Sequence, residues 1–84
     1  MIDHELFHRI ADEDCAIVRT KLAESSLAER TSFRNIGVGE RDLSSLHALT
    51  GSDRVPVLLT PTGVLSGATQ ILRYLEGYSQ NGIS

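Results

Sequence analysis

The residues whose types and spacing suit them for chemistry are concentrated in one short stretch, "ADEDCAIVR", at positions 11–19. It contains Cys15, the only cysteine of the chain, with three acidic residues immediately before it. A cysteine at a helix start becomes nucleophilic when backbone amides and the helix dipole lower the pKa of its thiol. Neighbouring carboxylates act in the opposite direction, because their charge favours the protonated thiol. Cys15 therefore has two interpretations, a reactive thiol or a small buried apolar side chain.

The element that positions this stretch is a helix beginning at Asp12. An aspartate at the N-cap accepts hydrogen bonds from the first free amides. The negative charges of the two acids that follow are stabilising at the positive end of the helix dipole. Cys15, Val18 and Leu22 lie at helical spacing, which predicts a helix that runs to about Ser25.

The remaining elements follow from periodicity and turn residues. "HELFHRI" predicts a strand covered on both faces, and "TSFRNIGV" predicts a second strand. "ERDLSSLHALTG" carries leucines at intervals of three and predicts a helix that ends at Gly51. "RVPVLLT", "PTG" and "GVLSG" predict a β-hairpin, and "ATQILRYLEG" a last helix closed by Gly77. The order is β-α-β-α-β-β-α, with one domain over residues 1–78 and a flexible tail over 79–84.

Composition limits the function classes. The chain of 84 residues has a net charge of −3, which argues against a basic nucleic-acid-binding surface. Its apolar runs are too short to span a membrane, and the charged start "MIDHELFH" is unlike a signal peptide. A single cysteine cannot form an internal disulfide, which fits a reducing compartment. We therefore expect a cytoplasmic protein that binds neither nucleic acid nor membranes.

Three stretches, in this order, resemble the thioredoxin superfamily, and more closely glutaredoxins and the N-terminal domain of glutathione S-transferases. "ELFHRIADEDCAIVR" is similar to the first strand, active-site turn and helix start of that family. "RVPVL" is similar to the segment with the cis-proline beside the active site, and "GVLSGATQILRYLE" to the last hairpin strand and helix. The resemblance covers Glu5 to Gly77. It implies an α/β thioredoxin-like fold of the glutaredoxin type, with a four-stranded mixed sheet and three helices.

The register of the first stretch bears on Cys15. The family has Val and Arg three and four residues after the second cysteine of its C-x-x-C, the places of Val18 and Arg19 relative to Cys15. Cys15 thus matches the second position, and Asp12 takes the first, where relatives carry a nucleophilic cysteine or a residue that activates glutathione. A carboxylate cannot attack a disulfide, and its charge repels a glutathione thiolate.

The resemblance also implies a glutathione site that is partly intact. The backbone of Val55 would pair with the peptide of glutathione, and Pro56 is predicted to be cis. The family's Glu-Ser is replaced by Gly67-Ala68, so only helix-start amides and the Thr69 hydroxyl remain to hold a carboxylate.

Other candidate sites are weaker. His4 and His8 lie on one strand face without further ligands nearby in sequence, so we expect no metal site. His47 is expected to be half-buried, and the scattered arginines to lie on a solvated face, although Arg54 beside Val55 can meet an anionic ligand.

Two functions remain open. One is a non-catalytic or weak module that binds glutathione or a protein. The other is a glutathione-dependent monothiol oxidoreductase that uses Cys15. A truncated glutathione transferase is a third possibility, but full transferase activity is not expected from this sequence, since the family's all-helical C-terminal domain has no counterpart in it.

Overall fold

Four strands and three α-helices are formed within residues 2–78, the part of the chain that the computed structural model describes. In chain order they are β1 (His4–His8), α1 (Glu13–Ala23), a 3₁₀ turn (Ala28–Arg30), β2 (Thr31–Asn35), α2 (Glu40–Thr50), β3 (Val57–Thr60), β4 (Gly63–Ser66) and α3 (Ala68–Glu76). The predicted order of strands and α-helices is confirmed. The predicted tail over 79–84 lies outside the described residues.

The four strands form one mixed sheet in the order β2-β1-β3-β4. β1 runs parallel to β2, with Leu6 opposite Phe33. β1 runs antiparallel to β3, and β3 antiparallel to β4 through the hairpin. The predicted four-stranded mixed sheet is therefore confirmed.

Each face of the sheet carries its own core, because alternate residues of the central strands point to opposite sides. On one face Leu6 and Leu58 pack with the apolar stripes of α1 and α3. On the other face Phe7 and Val57 pack with Leu46 of α2. The prediction that β1 is covered on both faces is confirmed.

α1 and β2 are shorter than predicted because polar side chains close them. α1 ends at Ala23, and the Ser25 hydroxyl donates to the carbonyl of Leu22 at 2.8 Å and accepts from the amide of Leu27 at 3.1 Å. β2 ends at Asn35, whose side-chain oxygen accepts from the amide of Gly37 at 2.8 Å. Serine and asparagine compete in this way with regular secondary structure.

α2 ends as predicted but is less buried than expected. Gly51 caps it with φ 74°, a left-handed conformation that suits glycine. Leu46 is its buried residue, whereas Leu49 is 39% exposed. His47 is exposed, so the expectation that it is half-buried is wrong.

Arg34 also departs from the expected solvated position. Its guanidinium is 2.6 Å from Glu5 Oε1 through Nη1 and 2.6 Å from Asp42 Oδ1 through Nε. It lies 5.4 Å from the centre of the Phe7 ring. β2 and α2 are therefore joined to β1 by one half-buried cation.

Candidate functional site at one end of the sheet

Asp12 is the N-cap of α1, as predicted. Its backbone is extended, and its Oδ1 accepts from the amide of Cys15 at 2.9 Å. This backbone hydrogen bond holds the pKa of Asp12 below its usual value of 3.8. The start of α1 therefore holds a carboxylate that is charged at neutral pH.

Cys15 lies in the first turn of α1 with its side chain fully buried. Its Sγ accepts from the backbone amide of Arg9 at 3.5 Å. Burial raises the pKa of the Cys15 thiol to about 11, and the Asp12 carboxylate acts in the same direction. An inaccessible protonated thiol is a poor nucleophile, so the geometry agrees with the interpretation of Cys15 as a small apolar residue.

Arg19 holds the loop between β1 and α1. Its guanidinium donates to the carbonyl of Arg9 at 3.1 Å and to that of Ile10 at 3.3 Å. The same group lies 3.2 Å from Nδ1 of His8, and burial followed by this cation lowers the pKa of His8. The expectation of a solvated Arg19 is therefore wrong. Only the folded loop brings these carbonyls within its reach.

The sheet register brings the Val55–Pro56 peptide bond to the same loop. This bond is cis, as predicted. The antiparallel ladder ends with Phe7 opposite Val57, so the residues that precede β3 and those that follow β1 lie at the same end of the sheet. Neighbouring strands lie about 5 Å apart. The carbonyl of Arg9, the residue after β1, accepts from the Asp12 amide at 3.3 Å and so keeps the start of α1 close to the end of β1. The N-terminus of α1 and the cis-proline therefore share one end of the sheet.

A pocket of about 300 Å³ opens at the cis-proline, lined by Arg54, Val55, Pro56, Val57, Ser66 and Gly67. Within residues 2–78 neither the amide nor the carbonyl of Val55 makes a hydrogen bond. An unpaired amide and carbonyl at the end of a strand can pair with an extended peptide. Arg54 is exposed and adds a cation to the wall.

The start of α3 borders this pocket only in part. Gly67 donates to the carbonyl of Pro56 at 3.0 Å, and no side chain caps the helix. Ala68 is half-buried and packs against the core below α1 and α3. Thr69 lines a separate cavity with Leu65, Gln70, Arg73 and Tyr74. The structure thus brings Val55, Pro56 and Gly67 together and sets Thr69 apart from them.

The two histidines of β1 have structural partners. Both are buried, and His4 lies between Asp3 at 2.7 Å and the Tyr74 hydroxyl at 2.9 Å. Burial raises the pKa of Tyr74 to about 12. Within residues 2–78 no group of three His, Cys, Asp or Glu side chains is arranged to hold a metal ion.

Comparisons with known proteins agree with this architecture. The chain is similar to a crystal structure of a glutathione S-transferase domain-containing protein from Marinobacter aquaeolei VT8, with a TM-score of 0.66 and 24% sequence identity. The match covers 95% of this chain and 42% of that one. The likeness concerns the fold, and the chain has a thioredoxin-like fold. No family model matches the sequence, and no curated protein matches it significantly.

This thioredoxin-like domain spans less than half the length of the protein to which it is similar. Among its described residues, no helix has the length and apolar character needed to cross a membrane. The likeness concerns the fold, and chemistry depends on the site that the fold carries.

Proposed function

We propose that this thioredoxin-like domain is a non-catalytic module that binds glutathione weakly at the cis-proline pocket. The observation that carries the proposal is the free backbone of Val55 beside Pro56 and Arg54, at the sheet end where Asp12 replaces a nucleophile. Val55 offers both hydrogen bonds that an extended peptide needs, and Arg54 offers a cation for a carboxylate. Gly67 and Ala68 supply no side-chain contact, so part of the binding free energy available to the family's pattern is missing.

Catalysis through Cys15 is disfavoured by the same geometry. Thiol–disulfide exchange requires an accessible thiolate, whereas Cys15 is buried and its thiol pKa is raised to about 11. The monothiol oxidoreductase is therefore the alternative that the experiment must exclude. A protein ligand with an extended segment is the other candidate for the pocket.

Binding is tested by titrating the ¹⁵N-labelled protein with reduced glutathione and following the amide resonances. We expect shifts at Val55 and Gly67 in the millimolar range, and little change at Val38, which is 83% exposed outside the pocket. Flat resonances at Val55 and Gly67 under millimolar glutathione would exclude glutathione as the ligand.

Catalysis is tested by the glutathione-dependent reduction of a small mixed disulfide. We expect no turnover by the native protein or by Cys15→Ser, and weak turnover by Asp12→Cys. The substituted sulfur would accept the hydrogen bond that the Cys15 amide now donates to Asp12. Two acids, Glu13 and Asp14, would remain beside it. Ready turnover by the native protein that Cys15→Ser abolishes would establish Cys15 as the nucleophile and overturn the non-catalytic assignment.

A further inference from the structure

We propose that Tyr74 is a redox-active tyrosine, whose phenolic proton passes to Nε2 of His4 when an outer-sphere one-electron oxidant takes an electron from its ring. The proposal is independent of the glutathione function. It concerns the start of β1, whereas the cis-proline pocket lies at the other end of that strand. There the side chains of Asp3, His4 and Tyr74 form one hydrogen-bonded chain.

The partners of His4 determine which of its ring nitrogens can take a proton. The carboxylate of Asp3 lies 2.7 Å from Nδ1 of His4, and hydrogen bonds from Arg30 and His4 lower the pKa of that carboxyl to about 2. An ionised carboxylate only accepts hydrogen bonds, so Nδ1 carries the hydrogen of the neutral imidazole. Nε2 is then the acceptor, and the Tyr74 hydroxyl donates to it at 2.9 Å. The phenolic proton therefore points at a base.

A phenol beside a base can act as a nucleophile or as an electron donor. Burial raises the pKa of Tyr74 to about 12, so little phenolate exists near neutral pH and the hydroxyl is a weak nucleophile. One-electron oxidation needs no phenolate, because the oxidised ring is a far stronger acid than the phenol. The electron leaves to the oxidant, the O–H bond breaks, and an N–H bond forms at His4. The product is a neutral tyrosyl radical beside an imidazolium.

The groups around His4 favour this proton transfer. The charged and titratable side chains that face the cluster are Asp3, Arg30 of the 3₁₀ turn, Tyr74, and Tyr78 just after α3. Oδ1 of Asp3 faces the imidazole and stabilises its cation, while Oδ2 pairs with Arg30, which is half exposed to water. His4 is 2% exposed, so solvent does not compete for the proton.

An oxidant can approach the ring of Tyr74 although His4 is enclosed. Tyr74 is half-buried and lines an open cavity of about 360 Å³ with Leu65, Thr69, Gln70 and Arg73. The exposed ring of Tyr78 lies 5.2 Å from that of Tyr74, centre to centre, and offers the electron a second route to the surface. The electron and the proton of Tyr74 therefore leave in different directions.

The experiment follows oxidation by hexachloroiridate(IV) in a stopped-flow instrument, in a Cys15→Ser background that removes the only thiol. The chain has two tyrosines and no tryptophan, so Tyr78→Phe leaves Tyr74 as the only phenol and Tyr74→Phe leaves Tyr78. At a pH of about 8 we expect Tyr74 to react about a hundredfold faster than Tyr78, the range that a positioned base contributes. The Tyr74 rate should not depend on the concentration of buffer base, whereas the Tyr78 rate should rise with it.

Lowering the pH supplies a second measurement on the same proteins. Protonation of His4 fills Nε2 and removes the acceptor, so the Tyr74 rate should fall as the pH passes downward through the titration of His4. An NMR titration of the His4 ring records that transition independently. A hydrogen bond with a purely structural role would not link the two curves.

Variants of the acceptor complete the test. His4→Gln retains an oxygen that can accept from the Tyr74 hydroxyl but provides no base, so the rate should fall to that of the Tyr78 control. Asp3→Asn keeps the imidazole, removes the charge that stabilises its cation, and should slow the reaction about tenfold. The matched control is His8→Gln, the same substitution at the other buried histidine of β1, which should leave the rate unchanged. Amide spectra establish which variants fold.

The proposal is supported by fast, buffer-independent oxidation of Tyr74 that His4→Gln slows, or that Asp3→Asn slows where His4→Gln does not fold. It is overturned if Tyr74 reacts no faster than Tyr78, if its rate rises with buffer base, or if neither variant lowers that rate. The chain of Asp3, His4 and Tyr74 would then have a structural role alone.

Discussion

Cys15 should react with alkylating reagents far more slowly than an ordinary cysteine. The reactive form is the thiolate, and raising the thiol pKa from 9.0 to about 11 leaves a very small thiolate fraction near neutral pH. At a pH of about 8 the thiolate fraction falls by about a hundredfold relative to a thiol of ordinary pKa. Because Sγ is fully buried, the reagent also needs a local opening of the loop that Arg19 holds. We expect a rate at least about a hundredfold below that of an unfolded chain.

The assay follows alkylation by iodoacetamide with intact-protein mass spectrometry at a pH of about 8. The protein unfolded in urea supplies the reference rate for the same residue. Val38→Cys in a Cys15→Ser background supplies a folded control, because Val38 is 83% exposed. This control should react at nearly the reference rate.

The outcome that refutes the reasoning is a native rate within about tenfold of the unfolded reference, with the Val38 control behaving as expected. Such a rate would mean that the Cys15 thiol is exposed or ionised in solution. It would also remove the main argument against the monothiol oxidoreductase.

Three further predictions concern stability, each measured by urea unfolding. Arg34→Met should lower the free energy of unfolding by about 1–3 kcal/mol, because it leaves two acids and the Phe7 ring without their cation. The control Arg41→Met, on the exposed side of α2, should leave that free energy almost unchanged. Asp12→Ala should lower the free energy of unfolding by about 1 kcal/mol near neutral pH. Because the pKa of Asp12 is lowered on folding, the difference between the two proteins should shrink as the pH falls through that lowered pKa. A difference that stays constant with pH would contradict the capping role of the carboxylate. Tyr74→Phe should cost about 1 kcal/mol by removing the partner of His4, and absorbance titration of the native protein should show a tyrosine pKa of about 12 that this variant lacks.

Local patterns in the sequence determined the secondary-structure elements and the position of Asp12 as the cap of α1. Asp12 was predictable as a cap because an N-cap depends on its own side chain and the next amides, all within one turn. The order of strands and helices followed from periodicity and from turn residues such as Gly51. The cis conformation of Val55–Pro56 was predicted only through the resemblance, since X–Pro bonds are cis in about 5–6% of cases.

Only the tertiary structure decided which residues meet across the site. Arg19 and Arg34 look like surface residues in the sequence, but their partners lie on other elements and within reach only after the sheet and helices pack. Thr69 follows Gly67 by two residues and yet lines another cavity, because α3 rotates successive side chains by about 100°. The cis-proline and the loop before α1 lie at one end of the sheet because of the β1–β3 register, which pairs Phe7 with Val57 although they are far apart in the chain. The partners of a long side chain or of a strand are the groups that lie near it in the folded protein, so spacing along the sequence does not determine them.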